Sequence, residues 1–186
     1  MLESINSLDK QILIFLNNLG SSNFDALWLF ITKQANWTPF FLLLLYLLQR
    51  KFGWKKTGIV ILFIALILTC CNTTVELFKS HFQRLRPCNE PTLKGLIRVV
   101  HQSDTFSFFS GHAANSLACM TFLFLSLKKF YTKSYLIFLY PLIFAYSRIY
   151  LGVHYPSDIL TGYFVGLLFG ILFFKLYEIV IKKYID

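Results

Sequence analysis

Two apolar runs, Thr57 to Phe78 and Pro156 to Ile181, constrain this chain more than any other feature. A helix rises 1.5 Å per residue, so about 20 apolar residues cross a hydrocarbon core about 30 Å thick. Both runs are long enough, and the charged residues gather between such runs. Three further stretches have the same character: Trp37 to Leu48, Gly111 to Leu127, and Ser134 to about Tyr150. The first of these is short for a crossing and needs residues from either side. The expected fold is all-α, a polytopic membrane helical bundle with about five transmembrane helices.

The composition agrees. Of 186 residues 56% are apolar, among them 21 Phe and 10 Tyr, and the mean hydropathy is +0.58. That exceeds an ordinary soluble domain. A net charge of +9 could suit nucleic acid, but no basic, aromatic-interleaved surface stands outside the apolar runs. The expected partner is the bilayer. Cys70, Cys71 and Cys119 fall in or beside apolar runs and only Cys88 lies in a loop, with neither disulfide nor zinc spacing.

Residues 1–36 read differently. Leu8, Ile12, Leu13, Phe15, Leu16 and Leu19 recur at helical spacing among polar residues, Gly20-Ser21-Ser22 breaks the pattern, and Phe24 to Ile31 forms a second short segment. Both segments are expected to lie in the membrane interface. Residues 37–186 then form the transmembrane core of a single domain, with a polar outer loop at 79–109. Arg50, Lys51, Lys55 and Lys56 fill one tight turn, Lys128, Lys129 and Lys133 another, and Lys182 and Lys183 the end. Positive residues favour the cytoplasm, which puts the 79–109 loop and the Arg148–Asp158 stretch on the outer face. Gly162, Gly166 and Gly170, spaced by four, strip one helix face for close approach of a neighbour.

The chemistry gathers on that outer face. Pro156 suits the first turn of a helix, which sets His154 just before the last helix and Asp158 in its first turn. An imidazole so placed can offer one nitrogen to a substrate while the carboxylate holds the other. A helix start carrying an Asp is also common without any chemistry. Lys79 and Arg86 fall about two helical turns apart on one face, which suits a substrate with several anionic oxygens; a snorkelling basic cluster would look the same. Ser110 is a good N-cap, and the free N–H groups of Gly111 and His112 behind it make an anion site. His112 is a candidate proton donor to a leaving group.

Taken together, Lys79-x6-Arg86-Pro87, Ser110-Gly111-His112 and Ser147-Arg148-x5-His154-x3-Asp158 resemble the three-part signature of the type 2 phosphatidic acid phosphatase (PAP2) superfamily. The match runs from Lys79 to Asp158 and is similar in layout to the family's membrane-embedded lipid phosphatases. One departure is Phe109, where the family usually has Pro before Ser-Gly-His. The resemblance implies that His154 attacks phosphorus to form a phosphohistidine, with Asp158 holding its ring. It implies that His112 protonates the leaving oxygen and later activates water. Lys79, Arg86, Arg148, Ser110 and Gly111 would hold the phosphoryl oxygens.

No metal and no other cofactor is implied, and the sequence offers no carboxylate cluster for Mg²⁺. The expected substrate is a membrane lipid phosphate: undecaprenyl diphosphate, phosphatidic acid or phosphatidylglycerophosphate, or alternatively a lipid A phosphate. A phosphotransferase with the same phosphohistidine would carry the same motifs. A non-enzymatic membrane protein would make three ordered motifs a coincidence. By analogy the enzyme is expected in a bacterial inner membrane, its active site facing the periplasm.

Overall fold

The structure is a computed structural model that describes residues 2–184, and all regular structure among them is helical. Six α-helices follow in order: α1 (Leu2–Asn18), α2 (Asp25–Ile31), α3 (Thr38–Phe82), α4 (Gly111–Leu127), α5 (Leu139–Tyr150) and α6 (Pro156–Tyr184). Short 3-10 turns lead into α2, α3 and α5.

The apolar stretches at 37–48 and 57–78 come out as two arms of α3. Gly53 breaks them apart, with φ 68° and ψ 173°. Only glycine takes that region without strain. A straight helix would set Phe41 and Leu68 about 40 Å apart, yet they line one small cavity with Asn115 and Tyr140. The arms therefore fold back on each other. Residues around α3 and the whole of α6 are long and apolar enough to cross a membrane, while α4, with 17 residues, is shorter.

Helix α4 is the axis of the bundle. Ala113, Ala114, Ala118, Met120, Phe122 and Leu123 are all buried, facing both α3 and α6. The three glycines of α6 set that closeness. A Cβ on Gly162 would come within 2.6 Å of the Ser110 carbonyl, one on Gly166 would land on the Ala114 carbonyl, and one on Gly170 would meet Thr121. The spacing-by-four reading holds, and its effect is to press the start of α4 against the first turns of α6.

Helix α1 carries its polar residues inward. Asp9, Leu13 and Asn17, four apart, are buried, while Leu8, Phe15 and Leu19 are exposed. Asn17 Nδ2 donates to the carbonyls of Arg98, Ile149 and Tyr150, and its Oδ1 accepts the Arg98 N–H. It thereby satisfies the Tyr150 carbonyl at the end of α5 and adds a bond to that of Ile149, which also accepts the Gly152 N–H. In α2, Trp28 stacks on Tyr150, and Asp25 pairs with Arg98 at 2.8 Å.

One expectation needs correcting. The polar loop begins at Gln83, because α3 continues through Lys79 to Phe82 and ends at Gln83 in the left-handed conformation. Lys79 and Arg86 therefore do not share a helical face; the reversal at Gln83 separates them.

Candidate active site

Three segments meet above the start of α4: the Arg84–Pro87 strip after α3, the Ser110 cap, and the turn between α5 and α6. Tyr155 precedes α6, Pro156 opens it, and Asp158 stands third in its first turn. From there Asp158 Oδ2 reaches back to accept the Tyr155 N–H at 2.9 Å, half of a capping box. The same oxygen lies 3.3 Å from His154 Nδ1. The sequence reading thus put His154 and Asp158 in the right relation, and both are buried.

Arg86 completes the other side of the ring. Its Nη1 donates to the Val153 carbonyl at 3.1 Å and lies 3.2 Å from His154 Nε2. Its Nε and Nη2 are held by the carbonyl and hydroxyl of Thr105 at 2.9 and 2.8 Å. Arg86 is thus fixed from three directions. Burial brings the His154 imidazole down to about 4, with the Asp158 carboxylate opposing and Arg86 and Arg148 assisting. The ring is neutral at ordinary pH.

Arg148, near the end of α5, is buried. Its Nη1 donates to Thr32 Oγ1 at 2.7 Å, and its buried Nε finds no partner among the described residues. A donor left over beside Arg86 and His154 suits an anionic oxygen. His112 lies within electrostatic reach of Arg148, His154 and Arg86, faces the Thr32 carbonyl, and stacks on Phe144 at 4.7 Å. Ser110 caps α4 through Oγ, which accepts the Ala113 N–H at 3.4 Å, and its own N–H donates to the Asp158 carbonyl at 3.0 Å. Gly111 packs against Val75.

Lys79 stands apart from this network. Its ammonium is held by Glu76 at 2.9 Å, and Glu76 in turn lies within electrostatic reach of Arg86. So seven of the eight expected residues converge, and Lys79 is beside them. Sequence reasoning missed four partners: Arg84, Asp9, Thr32 and Thr105. Among the described residues no three His, Cys, Asp or Glu side chains gather as a metal-holding group.

The PAP2 superfamily model matches residues 58–182, two thirds of the chain. The chain belongs to the PAP2 superfamily. The reaction its three motifs imply, hydrolysis of a lipid phosphate, is the reaction class of the relatives it matches. The lipid A 4'-phosphatase of Bacteroides thetaiotaomicron is 32% identical over 94% of this chain and 79% of its own. The undecaprenyl-diphosphatase of Sulfolobus acidocaldarius is 30% identical over 83% of this chain and 70% of its own. The fold also matches the crystal structure of a transmembrane PAP2-type phosphatidylglycerolphosphate phosphatase from Bacillus subtilis. That match has a TM-score of 0.72 at 22% identity, over 97% of this chain and 89% of the other. The PAP2 model begins at residue 58, so α1, α2 and the first arm of α3 lie outside it, although Asp9 and Thr32 reach into the site.

Proposed function

We propose that this PAP2 protein removes a phosphate from a saccharolipid of the lipid A type through a phosphohistidine on His154. The observation that carries the chemistry is the Arg86–His154 contact. It places a donor cation directly at the ring nitrogen that must attack. A phosphoryl group arriving there would take the Arg86 Nη1 donor onto one oxygen, which frees the Nε2 lone pair for its phosphorus. Arg148, through its unpartnered Nε, and the Ser110–Gly111 start of α4 would hold the other oxygens and stabilise the added charge, and Lys79 would join them on leaving Glu76.

The Nε2–P bond forms as the P–O bond to the lipid breaks. His112 gives its proton to the departing oxygen. Water then attacks the phosphohistidine, His112 takes the water proton, and inorganic phosphate leaves as the N–P bond breaks. No step requires a metal, because arginines carry the charge.

The lipid A assignment rests on the Bacteroides relative, the longer and more similar of the two curated matches reported. Undecaprenyl diphosphate is the second reading, favoured by the other relative. A panel of lipid A, undecaprenyl diphosphate, phosphatidic acid and phosphatidylglycerophosphate, assayed for phosphate release in detergent with EDTA, separates them. Fastest release from lipid A is expected. Activity lost to EDTA and restored by Mg²⁺ would count against the mechanism.

Five crossings accompany this reading: residues 38–52, 54–82, 111–127, 134–150 and 156–184. Phe52, Lys56, Lys129, Phe130 and Lys182 line one cavity, so both lysine-rich turns and the carboxyl end share one end of the bundle. That end belongs in the cytoplasm, and the site faces the periplasm of a bacterial inner membrane. A single cysteine at Thr92 in a cysteine-free background should react from outside intact cells, and one at Lys129 should not.

A further inference from the structure

Arg84 stands two residues before Arg86 but turns the other way. Its Nη1 donates to Asp158 Oδ1 and to Ser157 Oγ, both at 2.8 Å, and its Nη2 donates to Asp9 Oδ2 at 2.7 Å. The guanidinium carbon lies over Tyr155, 3.8 Å from the ring centroid. Asp9 comes from α1 and also accepts from Ser157: the backbone N–H reaches Oδ1 at 2.9 Å and the hydroxyl donates to Oδ2. Asp9 and Asp158 are both buried. A carboxylate out of water needs a cation and hydrogen bonds in place of solvent. One guanidinium supplies the cation to both.

The consequence falls on His154. The torsion that turns a carboxylate about its own axis is soft. In Asp158 it is pinned at both ends, Oδ1 on Arg84 and Oδ2 on the Tyr155 N–H. With both ends fixed, Oδ2 can only face His154 Nδ1. A cap for α6 would need no more than Asp9 and the Ser157 N–H. Arg84 braces that cap through Asp9 and Ser157, and beyond it one N–H of its Nη1 goes to the carboxylate that orients the ring.

We propose that Arg84, held in place by Asp9, is a positioning residue for the nucleophile: it fixes Asp158 so that His154 keeps its proton on Nδ1 and its lone pair on Nε2. The meaning of that lone pair rests on the phosphohistidine reading above; the positioning itself does not. The site then has two arginines with divided labour, Arg86 at the attacking nitrogen and Arg84 behind the supporting carboxylate. Part of the positioning comes from α1, outside the region that the family model matches.

The charged and titratable groups facing His154 are Asp158, Arg86, Arg148 and His112. Those facing Asp158 are His154, Arg84, Arg86 and Tyr155, and those facing Arg84 are Asp9, Asp158 and Tyr155. Removing the Arg84 charge takes from Asp158 the cation hydrogen-bonded to it, leaving Arg86 as its remaining cation and more of the carboxylate field acting on the imidazole. Protonation of both then becomes easier, so the His154 titration and the acid limb of the rate must move to higher pH.

The test uses the full chain in detergent with ¹⁵N-labelled histidine, and Arg84→Gln, Arg84→Lys, Asp9→Asn and the double variant Asp9→Asn/Arg84→Gln. In Arg84→Gln the His154 ring should titrate at higher pH and lose part of its Nδ1–H tautomer. Its kcat should fall about 10–100-fold, as when a supporting partner of a site is lost, with KM little changed. Arg84→Lys should recover part of both. Asp9→Asn should lower kcat alone but add nothing in the Arg84→Gln background, while still lowering Tm through the Ser157 cap. A wild-type ring titration and kcat in folded Arg84→Gln overturns the proposal. Should that variant not fold, a wild-type kcat in folded Asp9→Asn, whose Tm is lowered, does the same. A protein that releases phosphate from no lipid, yet whose His154 titration moves in Arg84→Gln, overturns the phosphatase mechanism and leaves the positioning standing.

Discussion

An N–H of Arg86 lies 3.2 Å from Nε2 of His154, and this contact decides which ring nitrogen carries the proton. A guanidinium has only donors, so Nε2 must accept and Nδ1 must be protonated. Asp158 Oδ2, 3.3 Å away, accepts from that Nδ1–H. The ring is neutral, with its lone pair directed at a cation. An attacking nitrogen needs that neutral tautomer, and the lone pair becomes free when the Arg86 N–H passes to an arriving phosphoryl oxygen.

A pH dependence follows. The folded His154 titrates at about 4, below its usual value of 6.5, chiefly because it is buried. As far as this residue governs the rate, kcat/KM should hold as pH falls through 6.5 and drop only near 4. An acid limb near 6.5 in the profile would contradict the neutral ring. Stability carries the same sign. The unfolded chain binds this proton first, so the contribution is complete above pH 6.5 and is lost as pH falls from there through 4. Thermal melts between pH 7 and 4.5 should therefore lose more Tm in the wild type than in His154→Gln.

Thr32 tests whether the amino-terminal helices serve the site. Its hydroxyl accepts from Arg148 Nη1 at 2.7 Å. Thr32→Val keeps the shape and removes the acceptor, leaving a second buried donor of Arg148 unpaired. A hydrogen bond to a charged group is typically worth about 1.5–3 kcal/mol, so kcat/KM should fall about 10-fold or more, mainly through KM. Thr32→Ser should restore it. Steady-state kinetics on the three proteins decide the matter.

Helix packing gives a prediction with its own control. Gly166→Ala drives a methyl into the Ala114 carbonyl, where the backbone of α4 cannot easily retreat. Overpacking of this kind costs about 1–3 kcal/mol, and Tm should fall. Gly58→Ala meets nothing within 4 Å, and in a helix alanine is the better residue. Its Tm should stay level or rise.

The helical class, the apolar stretches and the His154–Asp158 pair were legible because each depends on local sequence: run length, a Pro at a helix start, a spacing of four. What escaped depends on chain segments meeting in space. Arg84 reads as one more cation in a basic strip, and nothing local tells its direction from that of Arg86. Asp9 sits among Leu8, Ile12 and Leu13, where the apolar pattern draws the eye. Yet Asp9, Leu13 and Asn17 share one face, and polar residues at positions 9 and 17 were a signal that this face turns inward. The break at Gly53 was legible only as a basic turn; its left-handed backbone was not. Lys79 and Arg86 misled because a helical spacing was carried past Gln83, where the helix ends.

The last prediction separates the two histidines, and the structure sharpens it. His154 is held on Nδ1 by Asp158, and its Nε2 faces Arg86, a donor that an arriving phosphoryl oxygen can take over to free the lone pair. His112 stands on another helix, stacked on Phe144 and turned toward the Thr32 carbonyl, within electrostatic reach of the same arginines. Every substrate needs the nucleophile, whereas a general acid matters most when the leaving oxygen is a poor one. His154→Ala should therefore abolish turnover of all phosphoesters and form no phosphoenzyme. General acid–base help is typically worth about 10²–10⁴-fold. His112→Ala should lose that much on an alkyl phosphate and far less on p-nitrophenyl phosphate, whose phenolate leaves without a proton. Phosphoenzyme should then accumulate, because nothing takes the proton from the attacking water. Rapid quench with ³²P-labelled substrate reads both outcomes. Equal losses on the two substrates in His112→Ala, or a trapped phosphoenzyme in His154→Ala, would exchange or remove the assigned roles.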